Sequence, residues 1–169
     1  ICSIPGGRED PRAAHPYRRV AWHRYFVAQA HTDNLSLAAA LLPLHKMYVD
    51  SHCHLSFPDL RARLTDIRAE MQSAQVDRAL CICTTLEEFD EVHALAMAYD
   101  NFWASVGVHP DNEGVCEPSV DDLVALASRP RVVALGETGL DYFRLNGRSV
   151  DEMEWQRERF RVHIRAAHQ

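Results

Sequence analysis

From Met47 onward, short apolar runs alternate with longer stretches in which apolar residues recur every three or four positions. The short runs predict buried strands, and the longer stretches predict amphipathic helices. The predicted strands are residues 48–51, 79–84, 102–106 and 132–135, and the predicted helices are residues 60–74, 89–99, 118–128 and 150–167. Strands and helices therefore alternate along this part of the chain.

Four strand–helix units in succession predict a parallel sheet whose helices serve as crossover connections. A closed α/β barrel built in this way contains eight units and about 250 residues. We therefore predict a fold of the (β/α)8 TIM-barrel type, of which residues 47–169 hold about four units.

Residues 1–46 differ from the rest of the chain. They show no sustained period of 2 or 3.6, and they carry six Arg or Lys against three Asp or Glu. The piece LSLAAALLPL has the length of a signal-peptide core, but Asp33 precedes it and no small-residue cleavage site follows. We expect an N-terminal extension that is either disordered or translated from sequence upstream of a natural start at Met47.

The composition is that of a globular protein, with 47% hydrophobic and 25% charged residues. No run of about 18 apolar residues occurs, so the sequence predicts no membrane span. Its five cysteines form no CxxC pair, and an odd number suits unpaired thiols better than a disulfide framework. We expect a soluble, cytoplasmic protein with no obligate protein partner.

Charge is distributed unevenly along the sequence. Residues 47–169 carry twelve Arg or Lys against twenty-one Asp or Glu. Such an excess of negative charge repels a phosphate backbone unless bound cations or a local basic patch intervene. Any activity on nucleic acid must therefore depend on metal ions.

Three residues carry the strongest chemical signal. His52 and His54 stand two positions apart at the carboxyl end of the first predicted strand, where both imidazoles can face one cation. Glu137 follows the fourth predicted strand, in VVALGETGLDYF. Active sites of barrels of this type form at the carboxyl ends of the strands. The three residues predict a metal site, although histidines and carboxylates at strand ends also occur there as ordinary surface or core residues.

Weaker candidates stand near these three in the sequence. His109 ends the third strand segment, ASVGVHP, where a structural role is as plausible as a functional one. Asp141 and Tyr142 could orient metal ligands or touch substrate. Asp50 is expected to face away from the histidine pair, with a structural role as an equal alternative.

Two arginines follow the GLDYF segment. Arg144 and Arg148 could contact phosphate, although arginines in a polar loop are usually just solvated. We therefore expect phosphate binding to rest on metal ions more than on these side chains.

The order of these motifs resembles that of the TatD family of metal-dependent hydrolases. The opening MYVDSHCHL, the GVHP turn and the GETGLDY segment stand in the family's order and approximate spacing. Gln156, Phe160 and His163 follow in the next helix. The resemblance covers residues 47–169 and does not extend to residues 1–46.

The resemblance implies a TIM-barrel fold of the metal-dependent hydrolase superfamily. It implies that His52 and His54 bind a first divalent metal ion and that Glu137, the catalytic carboxylate, is a ligand that can bridge to a second. The family draws two further histidines and an aspartate from later strands, beyond Gln169. Imidazole and carboxylate ligands accept zinc, manganese or magnesium, so the identity of the two ions stays open.

By the same resemblance the protein is a deoxyribonuclease of the 3′–5′ exonuclease type with DNA as its substrate. One alternative is a hydrolase on the same scaffold that cleaves an ester or amide in a small molecule or an aminoacyl-tRNA. Another is an inactive truncated product, since we expect residues 1–169 alone to lack part of the ligand set.

Overall fold

The computed structural model describes residues 47–169, so the predictions for residues 1–46 lie outside the described residues. The elements alternate as β1 (Tyr48–Cys53), α1 (Pro58–Arg61), α2 (Leu64–Ser73), β2 (Val76–Cys81), α3 (Phe89–Ala98), β3 (Phe102–Val106), α4 (Val120–Ala127), β4 (Val132–Leu135), a short 3-10 helix (Val150–Met153) and α5 (Glu154–Ala167).

The four strands form one parallel sheet in the order β1-β2-β3-β4, with a helical connection between each pair of neighbours. This arrangement confirms the predicted α/β class and the use of helices as crossovers. The core lies between the sheet and the helices, where Phe89, Val92, Phe102 and Leu123 are almost fully buried. In the described part of the chain, no helix is long and apolar enough to cross a membrane.

The predicted bounds of β3 and β4 are confirmed, whereas β2 begins and ends three residues earlier than predicted. It begins early because Gln75, with φ 60°, makes a left-handed turn directly before Val76. Its pairing stops early because the N–H of Cys83 donates to the Ser105 hydroxyl, 3.0 Å away, instead of to a neighbouring strand's carbonyl.

Two of the predicted helices are divided in the structure, and the helix predicted at 150–167 consists of the 3-10 helix Val150–Met153 followed by α5. The apolar stripe at 60–74 is divided between α1 and α2. Helix α4 begins at Val120, two residues after the predicted start, because Ser119 is its N-cap and forms a reciprocal capping box with Asp122.

Polar side chains on the buried face of α5 form hydrogen bonds with the backbone of the loop after β3. His163 accepts a hydrogen bond from the N–H of Val108, 3.1 Å away, and its Nδ1 lies 2.8 Å from the carbonyl of Arg159. Gln156 donates to the carbonyls of Pro110 and Asp141, each 3.0 Å away. The loop that carries His109 is therefore held rigidly against the helix.

Candidate metal centre

His52, His54 and Glu137 converge at the carboxyl end of the sheet. The Nε2 atoms of His52 and His54 lie 3.6 Å and 3.9 Å from Oε2 of Glu137. One ligand atom from each of the three residues lies within 4.8 Å of the other two. The structure thus brings together the three residues that the sequence singled out.

The path of the segment after β4 makes this contact possible. Strands β1 and β4 lie at opposite edges, and in a flat sheet three strand spacings would separate them by about 14 Å. The side chains of His52 and Glu137 nevertheless approach to 3.6 Å. The segment that follows β4 crosses the end of β3 toward β2, where the N–H of Glu137 reaches the carbonyl of Cys83, and this brings the carboxylate to the histidines.

The backbone around Glu137 is fixed by the ends of two neighbouring strands. The N–H of Glu137 donates to the carbonyl of Cys83, 2.9 Å away, and the N–H of Gly136 donates to the carbonyl of Val106, 2.8 Å away. A Cβ atom added at Gly107 would lie 2.5 Å from the carbonyl carbon of Gly136. Only glycine at position 107 permits this approach, which places the Glu137 carboxylate over the histidines.

The two histidines differ in their electrostatic surroundings. The Glu137 carboxylate raises the pKa of His52 above its usual value, with burial acting in the opposite direction. Burial lowers the pKa of His54. In turn, the His52 ring lowers the pKa of Glu137, and His109 and His54 add to the effect. Glu137 is therefore ionised at neutral pH and ready to bind a cation.

The arrangement fits a divalent metal ion. Two ligands bound tetrahedrally at about 2.1 Å from one ion are about 3.4 Å apart, close to the 3.6 Å and 3.9 Å between the imidazoles and the carboxylate. Two neutral imidazoles and one carboxylate are also ligands that zinc and manganese accept. His52, His54 and Glu137 would hold the ion.

Metal-free protein should show this electrostatic pattern in an NMR titration of the imidazole rings. We expect His52 to titrate above, and His54 below, the ordinary histidine pKa of about 6.5. Because a proton on His52 competes with the metal ion, metal affinity should fall as the pH drops through the raised pKa of His52.

The Glu137→Gln substitution provides the control for this titration. It removes the charge that raises the pKa of His52, which should then move down, while His54 keeps a depressed value because burial is its main cause. Equal titration of both rings in the unsubstituted protein would contradict the electrostatic account of the site.

His109 lies beside the cluster, on the other oxygen of the carboxylate. Its Nε2 is 3.7 Å from Oε1 of Glu137, and its Nδ1 accepts a hydrogen bond from the N–H of Asp111, 3.0 Å away. A neutral ring that accepts at Nδ1 carries its proton on Nε2. His109 therefore faces the site as a proton donor. The sequence predicts it as a residue near the site and not as one of the metal ligands.

Asp141 and Tyr142 belong to the scaffold of the loop after β4. The Oδ1 of Asp141 accepts from the N–H of Phe143, 2.8 Å away, and its backbone N–H donates to Gln156, also 2.8 Å away. The hydroxyl of Tyr142 lies 3.5 Å from Arg157. That Asp141 or Tyr142 orients a metal ligand or touches substrate stays a prediction.

Asp50 supports the histidine pair through the backbone. Its Oδ1 accepts a hydrogen bond from the N–H of His52, 3.0 Å away, and burial raises the pKa of its carboxyl group. The pairing of β1 with β2 is also irregular between Asp50 and Cys53.

Sequence reasoning missed Arg159. Its side chain is 3% exposed, is paired with Glu117, and donates to the carbonyls of His109 and Asn112 at 2.8 Å and 2.7 Å. The available signal was its spacing from Gln156 and His163, three and four positions away, which puts three polar residues on one buried helix face.

The comparison with known families decides the identity of this fold. Residues 49–169 match the family model described as TatD related DNase. The chain belongs to the TatD family. Its four strand–helix units are part of the TIM barrel of this family.

Relatives in the TatD family include proteins with and without a described substrate. The chain is 41% identical over 99 residues to the uncharacterized metal-dependent hydrolase YcfH of Escherichia coli strain K12, covering 56% of this chain and 37% of YcfH. It is 44% identical over 77 residues to a protein named 3′-5′ ssDNA/RNA exonuclease TatD from Cronobacter turicensis, covering 45% of this chain and 29% of that protein.

A solved structure supports the fold. The crystal structure of YjjV, a TatD homolog from Escherichia coli K12, superimposes with a TM-score of 0.58 at 32% identity and covers 70% of this chain and 46% of YjjV. The chain spans less than half the length of each of these three relatives.

Proposed function

We propose that the full-length protein is a metal-dependent nuclease that releases nucleotides from the 3′ end of single-stranded DNA. The observation that carries this proposal is the convergence of His52, His54 and Glu137 at the carboxyl end of a TatD-type sheet. The relative named as a 3′-5′ exonuclease gives the direction and the type of substrate.

The reaction needs a cation to neutralise phosphate and to activate water. Divalent ions, two of them in this proposal, supply both functions when bound. His52 and His54 hold their Nε2 lone pairs toward one position, and the Glu137 carboxylate offers one oxygen to that position and the other to the side of His109. His109 donates its Nε2 proton to an oxygen of the phosphodiester.

The arginines of the loop after β4 contribute little to phosphate binding in this proposal. Arg144 lies 2.9 Å from Asp111, and Arg148 makes two contacts with the carboxylate of Glu113, at 2.9 Å and 2.5 Å. Because these acidic partners already neutralise them, attraction of the DNA backbone falls to the metal ions.

The same ion pairs favour a second candidate function. An acidic body whose loop arginines are paired suits an uncharged substrate, and we keep hydrolysis of an ester or amide in a small molecule as the alternative. TIM barrels change substrate through their loops while the strand-end ligands are kept.

We also propose a cytoplasmic location. Cys53, Cys81 and Cys83 are buried thiols at and just after the carboxyl ends of β1 and β2, and no disulfide joins them. Reduced cysteines of this kind suit a reducing compartment.

The test uses the full-length protein with all coding sequence that adjoins these 169 residues. It is stripped of metal, reloaded with manganese, zinc or magnesium, and incubated with a single strand labelled at either end. We expect the 3′ label to be released as mononucleotide only when metal is present. The 5′-labelled strand should become shorter one nucleotide at a time. Full metal loading without release of nucleotide, together with hydrolysis of model esters or amides, would overturn the nuclease proposal in favour of the alternative.

A further inference from the structure

An aromatic ring lies directly against one of the candidate metal ligands. The rings of His54 and Phe57 are stacked, with their centroids 4.8 Å apart and their planes 18° from parallel. Phe57 is nevertheless 41% exposed, although an aromatic residue of this size is usually buried. Among residues 47–169, the stack covers one side of the phenyl ring and leaves part of its remaining surface open beside the cluster.

Backbone contacts hold this ring in place. The N–H of Phe57 donates to the carbonyl of His54, 3.0 Å away, which closes a turn and brings the two rings over each other. Phe57 is the N-cap of α1, and Pro58 fixes the first helical position. The carbonyl of Phe57 accepts from the N–H groups of Leu60 and Arg61 at 2.9 Å and 2.8 Å. These bonds fix the backbone of Phe57, and the stack on His54 restrains its ring.

The stack also lies next to the candidate metal centre, because His54 belongs to both. His54 approaches the Glu137 carboxylate to 3.9 Å, and its ring meets that of His52 edge-on with centroids 5.1 Å apart. Within residues 47–169, Nδ1 of His54 is buried and makes no hydrogen bond, so the stack on Phe57 is one of the few restraints on the plane of the ring. A phosphate held at the cluster would place the rest of its nucleotide beside Phe57.

We propose that Phe57 stacks against a nucleobase next to the scissile phosphate and so makes the site selective for unpaired strands. A nucleobase within a duplex is stacked on its neighbours, whereas an unpaired base presents a free face to an aromatic side chain. Aromatic stacking tolerates any base because every base has a π face. This inference rests on the proposed nuclease function and adds to it the residue that selects single-stranded substrate.

The experiment compares substrates that differ only in a base. One single strand is complete, and two others carry a stable abasic analogue at the last or the next-to-last 3′ position. Release of the terminal residue by the full-length protein is measured as kcat/KM at saturating metal for the unsubstituted protein and for Phe57→Leu and Phe57→Trp. We expect the unsubstituted protein and Phe57→Trp to prefer the complete strand to one of the abasic strands by about tenfold.

Phe57→Leu keeps an apolar side chain but removes the π face, so this preference should fall to about one. Because all strands use the same metal site, any effect of the substitution on His54 or on metal occupancy cancels in the ratio. An unchanged ratio in Phe57→Leu, or equal losses on all strands, would overturn the stacking role while leaving the nuclease function standing. No release from any strand by the unsubstituted protein would instead refute the nuclease function, and the stacking role with it.

Discussion

Replacement of Glu137 by glutamine should reduce metal-dependent hydrolysis by the full-length protein about 1,000-fold. Glutamine has the same shape, but it removes the negative charge that faces both histidines at 3.6 Å and 3.9 Å. A bound metal ion contributes several kcal/mol to transition-state stabilisation, and each 1.4 kcal/mol is tenfold in rate. Loss of the charged ligand should also weaken metal binding, which isothermal titration calorimetry measures on the same samples.

Glu158→Gln is the matched control for this substitution. Glu158 lies on the outer surface of α5, where it pairs with Arg161 and Arg165 and is about half exposed. Its replacement removes an equal charge from the protein without touching the site, so the hydrolytic rate should stay within about twofold. If the two variants lose activity equally, the Glu137 carboxylate is not required for metal-dependent hydrolysis.

Replacement of Arg159 by alanine should produce the largest loss of folding stability, about 3 to 5 kcal/mol. Its guanidinium group is buried and holds the carbonyls of His109 and Asn112 as well as the Glu117 carboxylate. Alanine leaves the carbonyls without their donor and opens a cavity beneath the loop. Urea unfolding followed by circular dichroism measures the loss, which is large beside a typical total of 5 to 15 kcal/mol.

Arg161→Ala controls for loss of an arginine from the same helix. Arg161 is 47% exposed and pairs with Glu154 and Glu158 on the surface. Surface ion pairs of this kind contribute about 0 to 1 kcal/mol, so its replacement should change the free energy of unfolding by no more than that. Similar values for the two alanine variants would show that the buried contacts of Arg159 add nothing to stability.

The sequence was sufficient to predict the alternation of strands and helices because periodicity is a local property. Phe102–Val106 and Val132–Leu135 are short apolar runs bounded by turns, and their bounds agree with the structure. The second strand was misplaced because its start depends on the left-handed turn at Gln75 and its end on a hydroxyl from β3. Neither contact leaves a signal in the apolar run itself.

At the site, too, local features could be predicted from the sequence and contacts with other segments could not. His52, His54 and Glu137 could be selected because residue type and position at a strand end carry their chemistry. The restraints on them could not be predicted in the same way. The stacking of Phe57 on His54 depends on the geometry of the turn between β1 and α1, and the contact of Arg159 with the carbonyl of His109 joins residues 50 positions apart.

Anomalous X-ray scattering from crystals soaked in zinc or manganese tests the central claim most directly. Data collected on both sides of the absorption edge of the metal locate the ion without reference to activity. The account predicts a peak bounded by Nε2 of His52, Nε2 of His54 and the carboxylate of Glu137, about 2.0 to 2.2 Å from each. A strong peak elsewhere in the protein, with these three side chains unliganded, would contradict the metal centre and the hydrolytic function built on it.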